Sequence, residues 1–375
     1  MDDIKLENVL KMPKHQQPSE NIPVVDKNIS FNDFFEQYLL TNQPCIIKNV
    51  ADEWKSTKHW ITKNRTAVNF KYLRNKYSSE EVLTYDCNSK FYNSHKTEKT
   101  LFGKYLQYWE EYKENNYSDK DPLLYLKDWH LQNSHPYDNF YSVPIYFKSD
   151  WLNEYLIATK RDDYRFVYMG PKRTWTPFHA DVFKSYSWSV NIIGKKRWIF
   201  LPPGEEQHLK DKFGNLPHEI INIPLNCKHY NIIQEAGDAI FVPSGWYHQV
   251  VNLEDTISIN HNWLNGCNIN LMYLDMQKHL EEVKDEIDDC KGDSDFEEQC
   301  QIVLKASYGM DFKEFLHFIS WIAETRLNAK PMSNLARFDL KMIKKVLESF
   351  MLNKAVKNLV LLNEVESLYM NITNC

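Results

Sequence analysis

The sequence predicts a mainly β core with α-helices on either side: an antiparallel barrel or jelly roll between N-terminal helices and a C-terminal helical bundle. Two observations lead to this fold class. From about residue 171 to residue 265, short runs rich in β-branched and aromatic residues alternate with turn signals such as Gly194-Lys195 and Pro243-Ser244-Gly245, a pattern typical of closely spaced antiparallel strands. On both sides of that stretch, apolar residues recur at helical spacing instead.

The composition is that of a large globular protein. Of its 375 residues, 43% are hydrophobic, which is enough for a sizeable core. No apolar run reaches the about 18 residues of a membrane span, and the polar N-terminus MDDIKLENVLKMPKHQQPSE lacks the apolar segment of a secretory signal. A net charge of −6 argues against a general nucleic-acid binder, and the seven cysteines include no C-x2-C pair. We therefore expect a cytoplasmic protein with no direct nucleic-acid or membrane partner.

Changes in pattern divide the chain into four regions. The predicted regions are a flexible lead-in at 1–24, an N-terminal α/β region at 25–145 that packs on the barrel, the barrel itself at 146–265 and a helical region at 266–375. The lead-in is polar and contains two prolines. The other boundaries follow the places where helical spacing gives way to strand alternation and then returns.

The N-terminal α/β region begins with a helix start signal. Ser30 stands three residues before Asp33, a capping pattern, and apolar residues follow at helical spacing. The aromatic stripe of a helix predicted at 98–114 is typical of core packing. Leu123-Leu124-Tyr125-Leu126 predicts a compact strand before the turn-like Lys127-Asp128-Trp129. Further helices are predicted at 51–60, 66–76 and 149–159, and further strands at 44–49 and 164–170.

The barrel strands are predicted from period-two alternation between turn signals. They cover 175–180, 185–193, 196–201, 231–235, 239–242, 247–252 and 256–263. In the helical region, one amphipathic face runs from Phe312 to Ala323 and another from Leu340 to Phe350, and a third helix is predicted at 352–370. These helices are expected to pack on the barrel or on a second copy of the chain, so a homodimer through them is possible.

A candidate metal site begins with His179 and Asp181. Strand alternation puts both side chains on one face, where they supply two of the three ligands of a 2-His-1-carboxylate triad. His248 begins a strand after a hairpin, so antiparallel pairing can bring it to the same end of the barrel. Two imidazoles and one carboxylate suit Fe(II) and leave coordination positions open. Taken alone, an H-x-D pair is more often a surface or capping pair, and His248 can equally be a core histidine.

Three segments carry a family resemblance: TPFHADV, then GKKRWIFLPP, then GDAIFVPSGWYHQVVN. Over roughly residues 25–265, the chain resembles the JmjC (jumonji C) branch of the 2-oxoglutarate- and Fe(II)-dependent oxygenases. The resemblance implies a double-stranded β-helix, which is a cupin-like jelly roll. It also implies Fe(II) as cofactor, 2-oxoglutarate and O2 as cosubstrates, and decarboxylation of 2-oxoglutarate coupled to hydroxylation of a target C–H bond. By the same resemblance, His179, Asp181 and His248 are the iron ligands.

The resemblance also assigns residues to 2-oxoglutarate. Lys196 matches the lysine that pairs with the distal carboxylate, and a dry barrel needs a cation there because an unpaired buried carboxylate is very costly. Its two basic neighbours are typical of a solvated face, but strand alternation points Lys196 the other way. Thr176 and Tyr125 match hydroxyl partners of the same carboxylate, or else they are satisfied barrel hydroxyls. Asn262 matches a polar residue near the iron-chelating end, and Ser189 stands where many relatives have asparagine.

Three functions are compatible with these motifs. The family members that the motifs resemble most hydroxylate a lysine of the class-1 peptide-chain release factor, so the resemblance implies a protein lysyl hydroxylase that promotes translation termination in the cytoplasm. The alternative is histone N-methyl-lysine demethylation, although the chain lacks the cysteine patterns of the zinc modules that often accompany it. The second alternative is a non-catalytic JmjC binding module, which the complete triad and Lys196 disfavour.

Overall fold

The computed structural model describes residues 4–14, 16–91, 94–352 and 362–374. Its centre is a jelly roll in which a nine-stranded and a four-stranded sheet contribute residues to one cavity. Valine, isoleucine and aromatic residues fill the strands that meet there, and such side chains suit a pleated surface with at least one buried face. Val190, Ile192 and Phe200 are each at most 2% exposed. The predicted jelly-roll fold class is therefore confirmed.

The strands are β1 (Val24–Val25), β2 (Cys45–Ile47), β3 (Glu81–Phe91), β4 (Ser94–Leu101), β5 (Leu124–Trp129), β6 (Arg165–Gly170), β7 (Trp175–His179), β8 (Tyr186–Ile193), β9 (Lys196–Leu201), β10 (Tyr230–Gln234), β11 (Ala239–Val242), β12 (Tyr247–Asn252) and β13 (Thr256–Trp263). The larger sheet has the order β1-β2-β11-β8-β13-β6-β5-β3-β4, and the smaller has the order β10-β9-β12-β7. Neighbours pair antiparallel except β1 and β2, which are parallel.

The hairpin of β3 and β4 has no counterpart in the sequence prediction, which places a helix over 98–114. In the structure, residues 94–101 pair with β3, and the helix begins only at Phe102. Mostly polar, exposed residues form β4, so this strand depends on its pairing partner rather than on an alternating apolar pattern. The two strands extend the larger sheet beyond β5.

The helices are α1 (Leu6–Leu10), α2 (Phe31–Phe34), α3 (Lys55–His59), α4 (Phe70–Tyr77), α5 (Phe102–Glu114), α6 (Leu131–Ser134), α7 (Trp151–Ala158), α8 (Ile269–Glu286), α9 (Phe296–Tyr308), α10 (Phe312–Asn328), α11 (Asn334–Leu352) and α12 (Leu362–Thr373). A π-helical turn (Phe35–Leu39) continues α2, and short 3-10 turns lie at Ile145–Phe147, Val182–Lys184, Glu205–Leu209 and Asp288–Cys290. Of the helix predicted at 352–370, residues 353–361 lie outside the described residues. No helix in the described ranges is both long and apolar enough to cross a membrane.

The predicted C-terminal bundle is present and shares the main hydrophobic core. The ring of Phe350 on α11 stacks on Tyr273 of α8, with 4.8 Å between centroids, and on Phe315 of α10, with 5.8 Å between centroids. Stacked aromatic pairs of this kind add packing energy to the burial of their area. The bundle contacts the barrel region through α7 and through the 3-10 turn that follows β7.

Part of the lead-in that the sequence predicts over residues 1–24 packs against the rest of the chain, and its flexibility remains a prediction. Ile4 is only 1% exposed and belongs to the main core. The Asn32 side-chain oxygen accepts hydrogen bonds from the Lys5 N–H at 2.7 Å and from the Asn8 side chain at 3.0 Å. Helix α1 also contacts α11. The partners that order this segment lie far along the chain, so its own polar composition does not reveal them. The other predicted region boundaries remain predictions.

Candidate metal centre and cosubstrate cavity

The two candidate histidine ligands lie directly opposite each other. Strands β7 and β12 are antiparallel neighbours, and their register pairs His179 with His248, so the predicted pairing of these strands is confirmed. The two imidazole centroids are 4.4 Å apart. Asp181 follows β7 by two residues, and one ligand atom from each of the three side chains lies within 4.8 Å of the others. Within the described residues, this is the only group of three or more such side chains close enough to hold a metal ion.

Each imidazole is oriented by a backbone carbonyl. The Nδ1 atom of His179 lies 2.7 Å from the Pro177 oxygen, and the Nδ1 atom of His248 lies 3.1 Å from the Trp246 oxygen. Because a carbonyl only accepts hydrogen bonds, Nδ1 carries the proton and each Nε2 keeps a lone pair for a metal. Burial and the nearby His248 lower the pKa of His179 to about 4. The ring is therefore neutral near pH 7, as metal ligation requires.

Two side chains hold the Asp181 carboxylate. Ser187 donates a hydrogen bond to Oδ2 at 2.7 Å, and Asn262 donates one to Oδ1 at 2.9 Å. Asn262 also lies 3.1 Å from the Ser185 hydroxyl, so its amide is anchored at two points. The structure thus places Asn262, predicted near the iron-chelating end of the cosubstrate, against a candidate metal ligand. The sequence analysis missed Ser187, since only its position on β8 beside the end of β7 reveals it.

Replacing Asn262 with alanine is expected to weaken Fe(II) binding by about 10- to 100-fold, because groups that orient a metal ligand typically contribute that much. Equilibrium dialysis of the metal-free variant against Fe(II) without oxygen measures the effect. Asn260→Ala is the matched control: Asn260 lines the same cavity but bonds to Ser258 rather than to Asp181. Equal metal affinity of both variants would contradict an orienting role for Asn262.

The chain immediately after Asp181 is fixed by the C-terminal helices. Phe183 and Lys184 both have positive φ, at 59° and 50°, a conformation that costs energy in non-glycine residues and needs support from its surroundings. The ring of Phe183 lies 5.4 Å from that of Tyr308 on α9, and Lys184 forms an ion pair with Asp275 on α8 at 3.5 Å. Helices α8 and α9 therefore support the turn that carries the carboxylate ligand.

Lys196 is a buried basic residue of the cavity wall. Lys196 is 2% exposed, and its ammonium donates a hydrogen bond to the Ser258 hydroxyl at 2.6 Å. Burial lowers the pKa of Lys196 to about 7. Within the described residues, no carboxylate forms an ion pair with it. An ammonium in this position favours an anionic ligand, because a buried charge without a partner is costly. A cosubstrate carboxylate meets that requirement. Sequence reasoning missed Ser258, which lies on β13.

The other predicted cosubstrate residues line the same cavity as Lys196 and the triad, a space of about 440 Å³. Thr176 accepts a hydrogen bond from the Val250 N–H at 3.3 Å. Tyr125 is 2% exposed, and burial raises the pKa of its hydroxyl, which therefore stays protonated and able to donate. The buried hydroxyl of Ser189 has no hydrogen-bond partner within the described residues. All the predicted site residues thus face one cavity, and their individual roles remain predictions.

Two charged residues of the cavity wall were not predicted as site residues. Lys127 and Asp128 belong to β5, which continues to Trp129 where the sequence analysis expects a turn. Asp128 has a positive φ of 55° and accepts hydrogen bonds from the hydroxyls of Tyr85 and Tyr168, each at 2.6 Å. It lies where the register of β5 against β6 is broken, and both charged side chains line the cavity. In the sequence, the signal that could have identified these two residues is a pair of adjacent charges at the end of an apolar strand.

Comparison with known proteins defines the class. A family model described as a cupin-like domain matches residues 31–269, the part of the chain that contains all the strands of the two sheets except β1, and all the candidate site residues. The match agrees with the fold in both extent and architecture. The molecule is a cupin-like protein with further helices after the barrel.

Full-length relatives specify the family. Over 374 aligned positions, the chain is 44% identical to the 2-oxoglutarate and iron-dependent oxygenase JMJD4 of Gallus gallus, covering 90% of this chain and 88% of the relative. Its identity to the protein of the same name from Danio rerio is 44% over 344 positions, covering 86% and 81%. The arginine-specific demethylase JMJ20 of Arabidopsis thaliana is 38% identical over 325 positions, covering 78% and 68%. The chain belongs to the JmjC-type family of 2-oxoglutarate and iron-dependent oxygenases that includes JMJD4.

The donor set fits the cofactor of this family. Two imidazole Nε2 atoms and a carboxylate, with no thiolate, form the facial set that suits non-haem Fe(II) and leaves positions open. The metal, when bound, supplies the activation of O2 that is coupled to oxidation of 2-oxoglutarate. The protein's own contribution is to orient the three ligands through backbone carbonyls, Ser187 and Asn262, in a cavity that Lys196 also lines.

Proposed function

We propose that this oxygenase hydroxylates a carbon atom of a lysine side chain in the peptide-chain release factor, in the cytoplasm, and so promotes translation termination. Two kinds of support converge. The motifs around His179 and His248 resemble those of JmjC lysyl hydroxylases that act on this factor. In the structure, the observation that carries the proposal is a carboxylate, that of Asp128, on the wall of the cavity that holds the triad.

Asp128 suits a lysine side chain that enters the cavity. Its carboxylate is fixed by the hydroxyls of Tyr85 and Tyr168, so little freedom is lost when a further donor binds. An ammonium paired with a fixed carboxylate forms a strong, charge-assisted hydrogen bond, and adjacent tyrosine rings attract a cation further. With the ammonium held at Asp128, the aliphatic carbons of the lysine lie within the cavity that also contains the candidate metal ligands.

Incubation of the protein with Fe(II), 2-oxoglutarate, O2 and the release factor is expected to add one oxygen atom to a single lysine of the factor, as measured by peptide mass spectrometry. Asp181→Ala serves as the inactive control. Formation of succinate without any modified lysine would exclude this substrate while leaving the oxygenase class intact.

The role of Asp128 gives a second arm to that experiment. Asp128→Asn keeps the shape and most hydrogen bonds but removes the charge, so it is expected to lower kcat/KM for the lysine substrate about tenfold. Turnover of 2-oxoglutarate without protein substrate should be unchanged. An equal loss in both reactions would show that Asp128 acts on the metal centre rather than on the substrate.

N-methyl demethylation is the second candidate, and the similarity to a relative named as an arginine-specific demethylase favours it. Hydroxylation of an N-methyl group produces an unstable product that releases formaldehyde, so the two activities share their first chemistry. Formaldehyde release from histone peptides methylated on lysine or arginine, in the absence of release-factor hydroxylation, would favour this function. The hypothesis of a non-catalytic binding module does not fit membership of an oxygenase family.

Dimerisation through the C-terminal helices also remains a proposal. Leu274 on α8 and Leu352 on α11 are 50% and 81% exposed, and apolar residues of that size at a helix surface are compatible with an interface. The molar mass in solution, measured by light scattering, decides between monomer and dimer.

A further inference from the structure

Lys127 is a second buried cation in the cavity. The residue is 8% exposed, and its ammonium lies 4.1 Å from the centre of the Tyr85 ring. Burial lowers its pKa, which the charge of Asp128 partly offsets, but no carboxylate forms an ion pair with it within the described residues. A contact with one aromatic face compensates only part of the cost of burying an ammonium. The arrangement therefore favours an anionic ligand.

The two lysines reach the cavity from different sheets. Lys196 lies on β9 of the smaller sheet and is held by the Ser258 hydroxyl, whereas Lys127 projects from β5 of the larger sheet. Lys127 lines the same cavity as the three candidate metal ligands.

We propose that Lys127 binds the carboxylate of 2-oxoglutarate next to the metal, so that the two lysines of the cavity hold the two carboxylates of the cosubstrate. The charges match, since a dianion enters a space with two ammonium groups. Neutralising Lys127 in this way would also leave Asp128 as the unpaired charge of the wall. The bound cosubstrate would then prepare the site for a cationic side chain. The proposal that Lys127 binds a carboxylate of 2-oxoglutarate rests only on the family's use of that cosubstrate and not on the identity of the protein substrate.

Two probes separate the two carboxylates. 2-Oxoglutarate carries both, whereas 2-oxopentanoate has the same carbon chain and keeps only the carboxylate beside the keto group. Their dissociation constants are measured by calorimetry on the full chain loaded with Mn(II), a metal that allows binding without turnover. The variants are Lys127→Met, which keeps side-chain length without charge, Lys127→Arg, which keeps the charge, and Lys196→Met as the matched comparison.

The variants are expected to change the affinity for the two probes in different ways. Lys127→Met should weaken both probes by a similar factor, about tenfold or more, the usual scale of one charge-assisted hydrogen bond. Lys127→Arg should restore much of the affinity, and Lys196→Met should weaken 2-oxoglutarate but not 2-oxopentanoate. Unchanged affinity of Lys127→Met for both probes would overturn the proposal, whatever the protein substrate proves to be.

A measurement of folding stability distinguishes binding from packing. Because no described residue forms an ion pair with the ammonium of Lys127, Lys127→Met is expected to leave the melting temperature of the metal-free chain equal or to raise it. A lower melting temperature together with weaker binding of both probes would indicate that Lys127 supports the structure of β5, and would overturn its assignment as a ligand-binding group.

Discussion

Replacing Asp181 with alanine is expected to abolish 2-oxoglutarate turnover and to weaken Fe(II) binding by more than about 100-fold, beyond the effect typical of a group that only orients a ligand. Asp181 provides the only carboxylate of the triad, beside two imidazoles that backbone carbonyls orient. Alanine removes both a ligand and the negative charge that offsets part of the metal's charge. Succinate formation without protein substrate and bound iron per chain measure the two effects.

The control is a carboxylate far from the cavity. Asp289 is exposed in the 3-10 turn after α8, so Asp289→Ala should keep both iron binding and succinate formation. The melting temperature of the metal-free Asp181→Ala protein should stay near that of the native chain, because only the local hydrogen bonds from Ser187 and Asn262 are lost. Native turnover in Asp181→Ala would exclude this triad as the metal centre.

The barrel follows from local pattern, which explains why the sequence predicts it well, whereas the triad is assigned only with the family resemblance, because an H-x-D pair and a single histidine are each compatible with other roles. Strand alternation, together with the turn at Gly194 and the Pro243-Ser244-Gly245 turn, fixes where β8 to β12 begin and end. At Gly194, φ is +78° and a Cβ would lie 2.2 Å from the Asp255 carbonyl oxygen, so the position requires glycine. Once the strand order of a jelly roll is given, His179 and His248 fall opposite each other.

The residues that escaped prediction depend on contacts between distant segments. The alternation of β5 puts Lys127 on the same face as Tyr125, but the sequence analysis reads Lys127 as part of a turn. Asp128 has a positive φ at the irregular part of β5, and its side chain lines the cavity as well. Nothing local signals that conformation, because aspartate tolerates many backbone conformations. Ser258 is equally ordinary in sequence and becomes important only because the ammonium of Lys196 reaches it across the barrel.

The same limit applies to the C-terminal helices, whose spacing predicts helices but not their link to the metal site. That link is a short series of contacts. The turn after Asp181 carries Phe183, whose ring packs on Tyr308. Gly309 lies so close to the Phe183 ring that a Cβ atom at position 309 would be 3.2 Å from it. A ligand on a strained turn needs such support to stay in place. The helical region is therefore part of the catalytic scaffold, whether or not it also binds a second copy.

Replacing Lys196 with methionine is expected to weaken 2-oxoglutarate binding by about 10- to 100-fold, since hydrogen bonds to charged groups contribute about 1.5–3 kcal/mol. Methionine keeps the length and apolar stem of the side chain, so the barrel wall should remain filled. Iron affinity should not change, because Lys196 makes its contact with Ser258 rather than with the triad. Calorimetric titration of 2-oxoglutarate into the metal-loaded variant gives the loss. A dissociation constant equal to that of the native protein would contradict the assignment.

The pH dependence of Lys196 has opposite signs for ligand binding and for stability. Burial lowers its pKa from 10.5 to about 7, so Lys196 of the ligand-free protein loses its charge as the pH rises through about 7. Over the same rise in pH, the 2-oxoglutarate affinity of the native protein should fall relative to that of Lys196→Met. In the unfolded chain, Lys196 stays protonated up to its ordinary pKa. Between the lower pKa of the folded protein and that ordinary pKa, the unfolded chain therefore binds more protons than the folded protein. The free energy of unfolding of the ligand-free native protein should accordingly rise with pH there, compared with the variant. Parallel pH profiles for native protein and variant would show that Lys196 keeps its proton across this range.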